Sequence, residues 1–309
     1  VWSEEERMKY NNQHMKNKIL DASIFWSFDQ SGYLRHERDF KETYSFKKGS
    51  RALITGGTSG IGEASALELV RHGVDVTITG RDAKKAEKLL KNQTDLHFNK
   101  IDMSEWSGFD ALVDQVKELD YLVLNAGSMP EHFQTNSEGV ELQFASQLFG
   151  HYILSHKLVN AGKLKKGARI VWVTSGGMYL KPLHTDTIFK NENYDKVENY
   201  ANVKRAQVTV LPFFKQEFPD QIVTAMHPGW AATPGVAESI PGFSKFMDGR
   251  LRTPLQAADT ILWLLSTKEE ITSGELYFDR KKVSPHFFWF TKKSSQHIHE
   301  LQSLLKKYL

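Results

Sequence analysis

The sequence predicts a doubly wound α/β fold: a mostly parallel sheet of about seven strands, covered by helices on both faces, in one domain with an extension at each end. Three observations predict it. Between Arg51 and about Asp279, short β-rich runs alternate with helix-length stretches. A glycine-rich turn joins the first β run directly to the first helix. No Pro/Gly/Ser-rich linker and no fixed-period repeat divides the 309 residues.

Composition narrows the function classes. Hydrophobic residues at 40% and charged residues at 25%, with only 21 Gly and 9 Pro, exclude wholesale disorder and low complexity. Forty basic against 37 acidic side chains leave a formal charge of +3, too small and dispersed for a nucleic-acid partner. The absence of Cys removes disulfides, thiolate metal sites and cysteine nucleophiles. His297 and His299 read as surface histidines, and no His-Glu-x-x-His arrangement occurs, so no metal is expected. The apolar stretches at Ile24 to Trp26 and Phe287 to Phe290 fall short of the roughly 18 residues of a spanning helix. A soluble, cytoplasmic protein is expected, with peripheral membrane contact and a homo-oligomer both left open. No signal-peptide pattern opens the chain, which starts at Val1 and leaves room for a leader before it.

Residues 1–48 are mixed in charge and rich in Asn, Lys and aromatics; Ser3 and Glu6 at capping-box spacing predict a helix over 4–19 in an N-terminal extension. Strands are predicted at 51–55, 74–79, 96–101, 121–124, 169–174, 222–226 and 275–278, within a domain spanning 49–280. The first helix, 60–72, repeats Ile61, Ala64, Leu67 and Val70 or Leu69 on one face. In the tail, 281–309, Ile298, Leu301, Leu305 and Tyr308 recur at helical spacing and predict a surface helix packed on the body. Neither this helix nor the Ile24 to Phe28 cluster has the basic polar face that a membrane-surface role favours.

The glycine turn runs Gly56-Gly57-Thr58-Ser59-Gly60-Ile61-Gly62. Residues without Cβ let backbone N–H groups approach a pyrophosphate, whose charge is favoured by the positive end of the helix dipole. Glu63 and Ala64 stand where a nucleoside-triphosphate loop needs Lys and Ser/Thr, which disfavours that chemistry. At the end of the second strand, Arg81 lies 19 residues past Gly62, where an acid would bind ribose hydroxyls in an NAD site. A guanidinium there suits a 2′-phosphate, so NADP(H) is favoured, while Asp82 leaves room for NAD(H).

Tyr200 and Lys204 are four apart in a helical stretch and share a face. Tyr44 with Lys48 and Tyr277 with Lys281 have the same spacing, so position must choose among them. Tyr44 precedes the first strand and Tyr277 sits in a strand, where four residues span about 13 Å. Ser175 follows the fifth strand at the carboxyl end of the sheet, where such folds bind ligands.

In this order, Thr55 to Gly62, Asn125-Ala126-Gly127, Ser175, Tyr200 to Lys204, Pro228-Gly229 and Thr233 resemble the short-chain dehydrogenase/reductases over about residues 49–280. A narrower likeness to one group of that family is carried by Met226 to Gly235, Ser175 to Met178 and Gly32-Tyr33. The resemblance implies a Rossmann-type fold and a nicotinamide cofactor. It implies Tyr200 as general acid/base, Lys204 on the nicotinamide ribose and lowering the Tyr200 pKa, and Ser175 orienting a carbonyl. It further implies Asp102 at the adenine, Thr233 at the carboxamide, Asn125 supporting the cleft, and Met103, Ala126, Gly127, Pro228, Gly229 and Trp230 along the cofactor. Without it, Asp102 reads equally as a turn cap and Thr233 as a helix cap.

One position departs from the family. Many members carry an Asn twenty residues after the Gly of Asn-Ala-Gly, where it holds a water of a proton relay; here that position is Gln147. The extra methylene puts that relay in doubt and motivates a second reading, an NADP(H)-binding scaffold or sensor with little turnover. Between Trp230 and Met247, in the substrate-loop region of about 230–250, Val236, Ile240, Pro241, Phe243 and Phe246 form either an apolar lid for a small lipophilic carbonyl/alcohol substrate or part of the core or an interface.

Overall fold

The computed structural model describes residues 20–21, 23–292 and 295–309; the helix expected over 4–19 lies outside them. Helices α1 (Ile24–Phe28) and α2 (Gln30–His36) precede β1 (Arg51–Ile54), α3 (Gly60–Arg71), β2 (Asp75–Gly80), α4 (Ala83–Leu90), β3 (Leu96–Lys100), α5 (Phe109–Gln115) and β4 (Leu119–Leu124). Next, α6 (Leu142–Phe144) passes through a π-helical stretch, Ala145–Phe149, into α7 (Gly150–Asn160). β5 (Leu164–Val173), α8 (Lys196–Glu217) and β6 (Ile222–Met226) follow. Short helices α9 (Pro234–Ser239) and α10 (Pro241–Phe246) lead to α11 (Pro254–Ser266), the hairpin β7 (Glu275–Phe278) and β8 (Lys281–Val283), and α12 (Ser295–Lys307).

The strands form one sheet in the order β3-β2-β1-β4-β5-β6-β7-β8. All pairings are parallel except that of β8 with β7. Alternate side chains of each strand enter opposite cores. Leu53, Leu122 and Trp172 pack with Leu154, Val203 and Phe214 of α7 and α8. Ala52, Ile54 and Val123 pack with Ala66, Leu69, Ile261 and Leu262 of α3 and α11. Burial on both faces is why β1, β4, β6 and the end of β5 read as nearly unbroken apolar runs. Strand order reverses between β1 and β4, and the crevice at their carboxyl ends is where this topology binds ligands.

The structure corrects the strand list. β4 and β5 start earlier than expected because Leu119 pairs with Leu164 ahead of a register shift; the polar Lys165-Lys166-Gly167 stretch hides that start in the sequence. The sheet has eight strands because Asp279 (φ 44°) and Arg280 (φ 60°) form a two-residue turn that folds Lys281–Val283 back on β7. Three residues, two of them Lys, carry no alternation to reveal that strand.

Within the Ile24 to Phe28 cluster, Phe28 is 2% exposed and enters the core, whereas Trp26 remains 43% exposed. Leu301 and Leu305 of α12 are buried, and Tyr308 meets Trp106 edge-on at 5.2 Å. Among the described residues, no helix is long and apolar enough to cross a membrane and no cluster of His, Asp or Glu is placed to hold a metal ion.

Candidate active site

The glycine turn leaves β1 at the crevice. Gly56 has φ +66°, and a Cβ there would lie 2.7 Å from the Ala126 Cα, so the turn and the Asn125-Ala126-Gly127 segment are in direct backbone contact. Asn125 locks them together: its Nδ2 donates to the Thr55 and Gly56 carbonyls, both at 3.1 Å. The Asn125 and Ala126 N–H groups donate to the Thr55 hydroxyl at 2.9 and 3.0 Å. α3 then begins after Ser59, whose side chain makes no capping bond. Ile61 packs against the core beneath it. The uncapped N-terminus of α3, approached along residues that lack Cβ, fits the phosphates of a dinucleotide.

At the other end of this cradle Thr58 packs on Gly80. Arg81 and Asp102 are 3.8 Å apart, with side chains 67% and 39% exposed. Asp102 caps a turn, its Oδ1 accepting from the Ser104 N–H at 2.9 Å and hydroxyl at 2.7 Å, while Oδ2 faces Arg81. Met103 is buried beside it. Across the crevice, Thr233 caps α9 by accepting from the Val236 N–H at 3.3 Å. Its side chain also lies 3.2 Å from where a Gly60 Cβ would be, so the Pro228–Thr233 stretch reaches over to the glycine turn.

Ser175 follows β5, and its Oγ accepts from the Gly177 N–H at 3.3 Å. Asp195 caps α8, accepting from Val197 and Glu198 N–H groups at 2.9 and 2.8 Å. That start sets Tyr200 and Lys204 one turn apart on the face toward β5. The Ser175 side chain stands beside the Tyr200 phenol and favours its charged form. Lys204 is 3% exposed, donates to the Val173 carbonyl at 3.2 Å, and places Nζ 5.2 Å from the centre of the Tyr200 ring. Tyr44 and Tyr277 lie elsewhere: Tyr44 donates to Asp259 at 2.5 Å, and Tyr277 accepts from the Thr272 N–H at 3.1 Å.

Burial pushes the Tyr200 phenol above its ordinary range, with the neighbouring Ser175 side chain pulling the other way. Burial brings Lys204 down to about 7. In the chain by itself desolvation therefore outweighs the lowering of Tyr200 that the family resemblance implies for Lys204.

Gln147 lies in the π-helical stretch between α6 and α7. Its Nε2 donates to the Ser128 carbonyl at 2.8 Å, and its buried Oε1 has no partner. Its backbone carbonyl accepts from His151 Nδ1, Trp172 Nε1 and Gln207 Nε2 at 3.0, 3.3 and 2.7 Å. The longer side chain thus reaches the Asn-Ala-Gly loop.

Sequence reasoning missed His151, whose only signal is its place one helical turn after Gln147. It is fully buried, with Nδ1 bonded to Gln147 O and Nε2 accepting from the Thr55 hydroxyl at 2.8 Å. Burial, and then the nearby Lys204, hold its pKa down to about 3, so it stays neutral and ties Thr55 to the π-helical stretch. In the apolar loop, Phe243 turns inward, edge-on to Trp230 at 5.4 Å, while Phe246 is 72% exposed.

A family profile described as short chain dehydrogenase matches residues 50–184. The chain is 35% identical over 296 residues to Dehydrogenase/reductase SDR family member 12 of Homo sapiens, covering 89% of this chain and 93% of that protein. Retinol dehydrogenase 11 of Homo sapiens is 28% identical over 249 residues, 75% of this chain and 77% of that one. The solved 3-ketoacyl-(acyl-carrier-protein) reductase of Brucella melitensis, complexed with NADH, superposes with a TM-score of 0.59 at 25% identity, over 74% of this chain and 96% of its own. With its doubly wound sheet and with these relatives, the chain belongs to the short-chain dehydrogenase/reductase family of oxidoreductases.

Proposed function

We propose that this protein is an NADP(H)-dependent oxidoreductase that interconverts a lipophilic carbonyl and its alcohol, with Tyr200 as general acid/base. The observation that carries this reading is the arrangement of Ser175, Tyr200 and Lys204 at the carboxyl end of β5, beside a cradle suited to a dinucleotide. When bound, the cofactor supplies or accepts the hydride at the carbonyl carbon.

The chain's own residues do the rest. Ser175 hydrogen-bonds the carbonyl oxygen and stabilises the charge that develops there. Tyr200 gives its phenolic proton to that oxygen in reduction and takes it back in oxidation. A phenol raised by burial rests protonated, which suits the reductive direction. Lys204 holds the nicotinamide ribose hydroxyls, and the uncapped start of α3 with Gly60 to Gly62 receives the pyrophosphate. Arg81, largely exposed just after β2, would pair with a 2′-phosphate. Trp230 and Phe243 offer apolar surface to the substrate, and the relative named as a retinol dehydrogenase points toward the same substrate class.

A scaffold or sensor with little turnover is the second reading, favoured by the engagement of the Gln147 amide with Ser128. A panel of lipophilic aldehydes and ketones with NADPH separates the two. Substrate-dependent loss of nicotinamide absorbance is expected, at a rate that Gln147→Asn raises or leaves unchanged. Cofactor binding without turnover on any substrate would leave the scaffold reading.

A further inference from the structure

We propose that the N-terminal segment Ser27 to Tyr44 is a built-in wall of the catalytic site. In this proposal the β7–β8 turn clamps the segment, and Phe28 is a positioning residue that sets the spacing between the Ser175-Gly176 and Pro228-Gly229-Trp230 loops. This rests on the oxidoreductase reading above.

The Phe28 ring is wedged between the two loops. It meets Trp230 edge-on at 6.0 Å and packs on Tyr179, His227 and Phe278 at 6.2, 4.5 and 5.1 Å. A Cβ on Gly176, the residue after Ser175, would lie 2.5 Å from its Cε2. Its backbone is engaged as well: the Phe28 carbonyl accepts from the Trp230 N–H at 2.8 Å and from Arg252 Nε at 2.9 Å. A Cβ on Gly229 would lie 2.5 Å from Arg252 Nε and 2.6 Å from Phe28 O, so the Pro-Gly loop and the N-terminal segment interlock at backbone distance.

The clamp is the turn that makes the eighth strand. Asp279 and Arg280 both adopt left-handed φ without being glycine, a conformation that persists only where surrounding contacts over-determine it. Each anchors a different part of the segment. Asp279 holds Arg252 bidentately at 2.6 and 2.9 Å and contacts His36 Nδ1 at 2.6 Å. Arg252, 1% exposed, also donates to the Ser27, Phe28 and Asp29 carbonyls, satisfying the end of α1. Arg280 donates to the Glu42 carbonyl at 2.7 Å and lies over the Phe40 and Tyr44 rings at 4.2 and 5.2 Å, with Asp259 as its counter-ion.

Variants of the full chain test the proposal. Phe28→Ala, assayed well below its melting temperature, is expected to lower kcat/KM for carbonyl substrates about ten- to hundredfold, as small displacements of reacting groups do. NADPH affinity should fall less than kcat/KM does, because the glycine turn is untouched, and Phe28→Leu should recover most of the loss. A merely structural segment would lower the melting temperature and leave kcat/KM unchanged, and that outcome overturns the proposal. Should Phe28→Ala fail to fold, Gly176→Ala presses on the ring from the other side, and its loss should be relieved when combined with Phe28→Leu.

Asp279→Asn keeps a residue type that tolerates left-handed φ while leaving Arg252 without its counter-charge. Hydrogen exchange at the Trp230 amide, bonded to Phe28 O, is expected to rise at least tenfold. This readout needs no turnover, so it decides the clamp even if no carbonyl proves to be a substrate; unchanged exchange would refute it.

Discussion

The Lys204 ammonium sits 5.2 Å from the centre of the Tyr200 ring and donates back to the Val173 carbonyl of β5 at 3.2 Å. One helical turn of α8 therefore joins the proposed acid/base to the strand that carries Ser175. Replacing the phenol while keeping the ring isolates the proton-transfer step. Tyr200→Phe is expected to reduce carbonyl turnover about 10²- to 10⁴-fold with NADPH binding retained. Equal steady-state rates in the two proteins would remove Tyr200 from the chemistry.

Lys204 supplies a pH signature. Burial brings it down to about 7 in the chain alone, so it is cationic below that pH and loses its charge above it. NADPH affinity is expected to be greatest on the acid side and to weaken by up to tenfold per pH unit above about 7, since binding favours the cation. Lys204→Met should bind weakly at all pH values and lose this dependence. Titrations of nicotinamide fluorescence at stepped pH check both.

Cofactor choice turns on Arg81, which stands 3.8 Å from Asp102 at the exposed end of β2. Arg81→Ala is expected to weaken NADPH about 10- to 100-fold, the worth of a charge-assisted bidentate contact, and NADH far less. Matched losses for the two dinucleotides, measured by calorimetry, would rule out a 2′-phosphate contact at this residue.

Two buried histidines make stability pH-dependent. Burial takes His151 and His227 from an ordinary 6.5 to about 3. As pH falls below about 6.5 the unfolded chain binds a proton at each, and the folded chain does so only near 3, so their contribution to stability declines across that window and is constant above it. Two such groups contribute a slope of about 2 to 3 kcal/mol per pH unit between roughly pH 6 and 4. Denaturant unfolding at stepped pH should show it, and His227→Asn should remove about half.

The fold and much of the candidate site are legible along the chain because they are written in short-range signals. Apolar runs of strand length, a turn lacking Cβ ahead of a helix, and a four-residue spacing on α8 each declare themselves within a dozen residues. The Asp102 and Thr233 caps are equally local, and the structure makes both while bringing Arg81 beside Asp102 and Gly60 beside Thr233.

What the amino-acid order determined by itself is the doubly wound sheet and the motifs that lie at the carboxyl ends of its strands. Tertiary structure alone decided how they are held: Arg252 reaches Phe28 across 224 positions and His36 reaches Asp279 across 243. His151 becomes a neutral link only once Thr55 closes over it. Ion pairs and buried hydrogen bonds of that separation follow no period and obey no local propensity. Their strength depends on desolvation, and desolvation exists only after the chain has packed.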